Sequence, residues 1–473
     1  MVTELMIEAM STGIKENLKA FCGEVAEGPL TEAAAQAVTR AIEKTVAEVG
    51  KAGFKTYLES KEEEQDIIVV HGETYRFKQY TKRSFFAPWG KMEVQRKLFQ
   101  NASDTQSYFP LDAAWSMTNQ LMTPEVREAC AFASQAMTPC EVAQLFEKCA
   151  LFHPDPTAIK RALVQIQRTI EPVREEVDIN IRDAEEAPEG TRVMVASMDG
   201  VNVLLNEPGT KRGRPAERPT GETGKQQPTS YKNAMVGTCS YYGEAPKGEK
   251  CPERLETRYV AHMPEERAIT FKAKFEAELE AAGASCPLNT VKVILCDGAR
   301  GIWNYIDESP RYDDYEKLVD YWHTLEHLSR AAEAIFGKGN PQGADWYAKH
   351  AKALKEKQRG AQGVLESMDY YTRTRKLSAQ RQQELNTERT FFARNKHRMH
   401  YAEFRRRRLP IGSGPVEAAC KSIVKSRLGR SGMRWSRTGG QCILDLRSYA
   451  KSGRWHAFWK EYKKAASALS AVA

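Results

Sequence analysis

Residues 291–297 read VKVILCD, in which Lys292 is the single polar residue before the closing aspartate. A strand with one wet face alternates apolar and polar residues. A nearly unbroken apolar run belongs to a strand covered on both faces, the habit of parallel sheets flanked by helices. Such a strand needs a partner of the same kind, and residues 192–206 supply one. Within VMVASMDGVNVLLN the only charge is Asp199. Both runs carry an Asp-Gly pair, Asp199-Gly200 and Asp297-Gly298. Asp-Gly is ordinarily a turn, but two such pairs attached to apolar strands, with a further acid on a later capped helix, call for another reading.

Two more strands, AMVGTCSYY and TRYVAHM, follow the first. A helix over residues 265–282 then buries Phe271, Phe275 and Leu279, and residues 291–297 come next. Three strands, a helix, a buried strand and a later helix is the order of an RNase H-like α/β core. In that fold the first and fourth strands lie side by side, which makes Asp199 and Asp297 neighbours. Residues 301–405 read mainly as helix and form an all-helical insertion between the two parts of the core, 190–300 and 406–450. In the second part Gly414-Pro415 starts a helix. Glu417 falls in its first turn, and Lys421 and Lys425 fall at i+4 and i+8 on the same face. An ordinary surface helix shows the same pattern, with the glutamate offsetting the helix dipole. The surroundings favour a site: thirteen Lys or Arg against two Glu lie between Arg394 and Arg437, and an acid within a cationic field is placed to hold a metal against a phosphate backbone.

Carboxylates are the ligands a hard cation such as Mg²⁺ requires, and two such ions clamp the attacking and leaving oxygens at phosphorus. Asp199 would bridge the ions, with Asp297 holding one and Glu417 the other, and Mn²⁺ as a substitute metal. Lys421 and Lys425 would steady neighbouring phosphates. Arg427, Arg430, Arg434 and Arg437 surround Trp435, the candidate for stacking on an unpaired base.

The rest of the chain divides by pattern. Residues 1–65 carry an acidic helical segment for multimerisation or partner contact, with Thr31 as a helix cap. Residues 66–118 form a small β-ribbon module. In residues 119–175, Thr123-Pro124, Thr138-Pro139 and Asp155-Pro156 each announce a short helix. Three such helices fit a helix-turn-helix-like module offering Lys160, Arg161, Gln165 and Arg168 to DNA, or a plain packing unit. The sequence Lys211-Arg212-Gly213-Arg214-Pro215 is either a minor-groove hook, using Arg212 and Arg214, or a basic loop. Residues 451–473 form a tail helix. Ten cysteines without a CxxC pair argue against a zinc ribbon and a disulfide framework; Cys130, Cys140 and Cys149 are expected to be packed. A net charge of +8 with its basic excess towards the C-terminus points to nucleic acid. No apolar run spans a bilayer and the first residues make a poor secretion signal, so the expected home is the cytoplasm.

Four strings, MDG at Asp199, CDGARGIWNY at Asp297, DYWHTLEHL from Asp320, and LPIGSGPVEAACKSIVKSRLGRSGMRWSRTGGQ, resemble those of ISKra-type bacterial insertion-sequence transposases, distant cousins of the Mutator-like group. The resemblance covers most of residues 70–450. It implies a DDE transposase that cleaves double-stranded DNA at transposon ends and joins the 3′-ends to target DNA, working as a homo-oligomer in the bacterial nucleoid. It also implies Asp199, Asp297 and Glu417 as the catalytic, Mg²⁺-binding acids. Relatives often carry cysteines in the β-ribbon that this chain lacks. Two alternatives share the fold: a structure-specific nuclease without joining, and a silent DNA-binding regulator. His323 and His327, four residues apart, either bind a transition metal or serve as packing and phosphate contacts.

Overall fold

The computed structural model describes residues 2–25, 31–101, 103, 106–207, 231–247, 249 and 251–472. The chain divides into two compact units, Met1–Ile179 with Arg454–Ala473, and Asn180–Gly453. The basic segment with Arg212 and Arg214 lies outside the described residues.

The first unit begins with helices Val2–Val25 and Glu32–Glu59. The Thr31 hydroxyl caps the second by accepting the Ala34 N–H at 3.1 Å. Strands β1 (Ile67–Val70), β2 (Glu73–Ala87), β3 (Gly90–Asn101) and β4 (Ser107–Tyr108) then form an antiparallel sheet in chain order. His71 and Gly72 join β1 to β2 with φ of 52° and 85°, the left-handed pair that a two-residue hairpin turn needs. Helices Pro124–Ser134, Pro139–Cys149 and Pro156–Ile170 follow, each with proline in its first turn. Thr138 and Glu141 form a reciprocal capping box, and Asp155 accepts from Thr157 and Ala158. Thr123 departs from the pattern, since its side chain caps nothing. Cys130 is buried as expected, but Cys140 and Cys149 are exposed; they lie in the first turn and at the last residue of a helix whose buried residues are Val142 and Phe146.

The second unit is built on a five-stranded sheet, β5 (Val193–Leu204), β6 (Tyr231–Tyr242), β7 (Arg254–His262), β8 (Val291–Cys296) and β9 (Glu316–Val319), in the order β7-β6-β5-β8-β9. β6 runs antiparallel to both β5 and β7, whereas β8 runs parallel to β5 and β9 parallel to β8. Residues 193–198 and 293–296 are buried throughout, as strands covered on both faces must be. Helix Ile269–Ser285 approaches β6 closely at Gly237, where a β-carbon would stand 2.5 Å from Phe275.

β9 corrects the expected extent of the helical insertion. After helix Arg300–Glu308 the sheet gains a strand, and an unbroken run of helices follows only from Tyr321. Helices Tyr321–Phe336, Pro341–Glu356, Gly360–Thr374, Ala379–Asn395 and Tyr401–Arg406 follow, and their apolar faces continue the hydrophobic core of the sheet. Among the described residues no helix is long and apolar enough to cross a membrane.

Candidate active site

Parallel pairing sets the acids level with one another. β5 and β8 pair from Val193 with Val291 to Ala196 with Ile294, a register that carries Asp199 beside Asp297. β8 and β9 pair up to Cys296 with Val319. One step further sets Asp297 beside Asp320, whose N–H donates to the Cys296 carbonyl at 2.8 Å. Neighbouring strands lie about 4.8 Å apart, so three aspartates form a row, Asp199 within β5 and the other two just past the ends of β8 and β9.

Each acid of the row has its own surroundings. Asp199 is half-buried; Oδ1 accepts the Gly200 N–H at 2.6 Å, and Oδ2 accepts the Cys420 thiol at 3.3 Å. Burial, and then the Asp199 carboxylate, push the Cys420 thiol far up, so it stays a protonated donor. Asp297 accepts the Ala299 N–H at 3.0 Å, and its carbonyl accepts the indole N–H of buried Trp303. Burial lifts the Asp297 carboxyl above the usual range, and the Asp199 charge adds to the lift. Asp320 is fully buried.

Asp199 and Asp297 line one cleft of about 620 Å³ with Asn233, Arg267, Lys272 and Tyr305. Lys272 Nζ stands 4.4 Å above the Tyr305 ring, leaving a cation at the wall. Arg267 and Ala268, on the same cleft, take successive left-handed conformations with φ of 53° and 52°. Backbone held in that region by residues other than glycine carries about 1–3 kcal/mol of strain each, and such strain gathers at functional sites. Gly298 is the glycine whose role the sequence hides. Its φ is not left-handed; a β-carbon there would stand 2.1 Å from the Phe391 ring. Phe391 in turn stacks on His327 at 3.4 Å, and His327 Nδ1 meets Glu388 at 2.6 Å. These contacts give His327 a packing role.

Glu417 stands apart from the two cleft aspartates. It is exposed, does not line the cleft, and its Oε1 accepts the Ser413 hydroxyl at 3.5 Å. One turn on, Cys420 touches Asp199, with charge from both Asp199 and Glu417 acting on its thiol. The expected single α-helical face is corrected here. The helix is α over Gly414–Ala419 and again over Ser426–Leu428, and Cys420–Lys425 between them is a π-turn. Its i to i+5 bonding carries Lys421 and Lys425 out of line with Glu417, although both remain exposed. Among the described residues no three His, Cys, Asp or Glu side chains are grouped to hold a metal ion. The chemistry of the pair Asp199 and Asp297 fits a divalent cation; Glu417 is near but not gathered in.

No family model and no curated protein matches this chain. Among solved structures it is similar to one described as the Drosophila P element transposase strand transfer complex, at 12% identity over 72% of this chain and 81% of that one, with a TM-score of 0.26.

The expected DNA contacts divide. Arg427 is corrected outright: it is buried, with its guanidinium 4.9 Å from the Trp435 ring centre. Trp435 is half-buried; its indole N–H donates to the Leu428 carbonyl, and its backbone pairs with β5 at Leu204. One face of the ring is thus already taken by Arg427. Arg437 is tied to Glu207 at 2.6 Å, while Arg430 and Arg434 are half-buried. In the first unit Lys160, Arg161, Gln165 and Arg168 line a cleft of about 460 Å³ with Asn119 and Thr157. Opposite them, Ile159, Leu163 and Ile166 are buried.

Proposed function

We propose that this chain is a metal-dependent DDE transposase of the ISKra-like kind, cutting DNA at transposon ends and joining the 3′-hydroxyl ends to a target. The observation that carries the reading is the level pair Asp199 and Asp297, on adjacent parallel strands and lining one cleft with Arg267 and Lys272. The sheet order, three antiparallel strands continued by two parallel ones, supports an RNase H-like core, with the helices of 321–406 as its insertion.

Asp199 and Asp297, joined by Glu417, would hold Mg²⁺ or Mn²⁺, which supplies an ionised hydroxyl nucleophile and neutralises charge at phosphorus. The chain's own groups do the rest. Lys272 and Arg267 bind phosphate at the cleft, and Lys421 and Lys425 steady the strand beyond it. The Cys420 thiol fixes one oxygen of Asp199, and the Ala299 N–H fixes one of Asp297. Glu417 completes the acid trio when DNA is engaged, in a homo-oligomer that holds paired ends. The basic cleft of the first unit grips the duplex through Lys160 and Arg161.

The test is incubation of the purified chain with candidate end DNA and Mg²⁺. Nicked ends together with joined products are expected, and Asp297→Ala should lose cutting by on the order of 10³-fold while still binding DNA. Nicks without joined products would indicate a nuclease. Tight binding without any cleavage would indicate a regulator and overturn the proposal.

A further inference from the structure

We infer that Asp320 is a positioning residue for Glu417, clamping the segment from which the Glu417 helix starts; the inference rests on the transposase reading for the role of Glu417.

Asp320 follows β9 and caps helix Tyr321–Phe336, accepting the His323 N–H at 2.6 Å with Oδ1. Capping needs only that one oxygen, and serine, threonine or asparagine supply it without charge. Yet the carboxylate is fully buried, and among the described residues it forms no ion pair with a Lys or Arg. Burying an unpaired carboxylate is expensive unless hydrogen bonds satisfy it. The second oxygen explains its presence. Oδ2 accepts the Ser413 N–H at 2.5 Å, far along the chain, a charge-assisted bond of the strong kind.

Neighbouring residues tighten the same grip. The Tyr321 N–H donates to the Ile411 carbonyl at 2.9 Å. Trp322 lies so close to Gly412 that a β-carbon there would be 3.0 Å from its ring. Residues 320–322 thus hold residues 411–413. Ser413 passes the constraint on: its carbonyl accepts the N–H groups of Val416 and Glu417 at 3.0 and 3.3 Å, and its hydroxyl faces the Glu417 carboxylate. Asp320 is also level with Asp297 in the sheet, so the clamp refers Glu417 to the same strands that carry the other two acids.

The decisive variant is Asp320→Asn in the full chain. Asparagine can still accept from His323 through its oxygen, but it then turns an amide N–H₂ towards the Ser413 N–H, donor against donor. Hydrogen–deuterium exchange of the metal-free protein should quicken at least tenfold over residues 411–419 and remain unchanged in helix Ile269–Ser285. In end-DNA cleavage, the Mg²⁺ concentration giving half-maximal rate should rise at least tenfold while DNA affinity stays the same. Should Asp320→Asn fail to fold, Gly412→Ala loosens the grip from the other side and must give the same two shifts. Unchanged exchange over 411–419, or an unchanged Mg²⁺ requirement, overturns the inference. If the unaltered chain does not cut DNA, the transposase reading fails, while the exchange measurement still decides whether the clamp exists.

Discussion

The Cys420 thiol donates to the Asp199 carboxylate at 3.3 Å, so a π-turn and a central strand meet at the first of the candidate acids. The thiolate is the reactive form of cysteine, and burial beside a carboxylate suppresses it. Alkylation of the native chain at pH 7, followed by peptide mass spectrometry, should modify exposed Cys140, Cys149 and Cys251 and spare Cys420 until denaturant is added. Labelling of Cys420 as fast as Cys140 would show that the contact with Asp199 does not form.

Asp297 should make the fold sensitive to pH in a defined direction. Its carboxyl is raised above its ordinary 3.8 on folding, so the protonated form is the one the fold favours. That contribution is fully present below the unfolded value and is lost as pH rises through the folded value. At pH 7 the ionised group therefore lowers stability, and Asp297→Asn should raise Tm. The gain should disappear as the pH is brought below about 4. Melting curves of the two proteins across pH 3–7 check this, and an equal Tm at pH 7 would refute it.

Gly298 and Phe391 should behave as a coupled pair. Gly298→Ala places a β-carbon 2.1 Å from the ring, and overpacking of this kind costs about 1–3 kcal/mol. Phe391→Leu removes the obstructing ring edge, so the double variant should recover part of the loss. A urea-unfolding double-mutant cycle measures the coupling. Additive losses would mean that the two residues do not touch.

Much of this architecture was legible in the chain because strong local signals agreed. VKVILCD and VMVASMDG announce β8 and β5 by unbroken apolar character, and Thr138-Pro139 and Asp155-Pro156 announce helices by chemistry that acts within one turn. What escaped depends on distant partners. β9 is only four residues, EKLV, two of them charged, and it is a strand because β8 offers it an edge. Arg427 looked like one more cation in a basic run, yet it is buried with its guanidinium over Trp435. The π-turn at Cys420 interrupts a sequence whose i+4 spacing fits an α-helix equally well. Asp320 stood out only as the first residue of DYWHTLEHL, and no local pattern discloses its second oxygen's bond to Ser413.

The bond from Tyr321 to Ile411 has a consequence for how such chains can change in length. The helices depart from the sheet and rejoin it through adjoining backbone, like a loop of rope tied at a single knot. Closing a longer excursion adds only about 0.6 kcal/mol per doubling. Material inserted at the outlying turn Gly337–Asn340 should therefore leave the row of aspartates where it stands, whereas a single residue added between Ile411 and Ser413 would untie the knot.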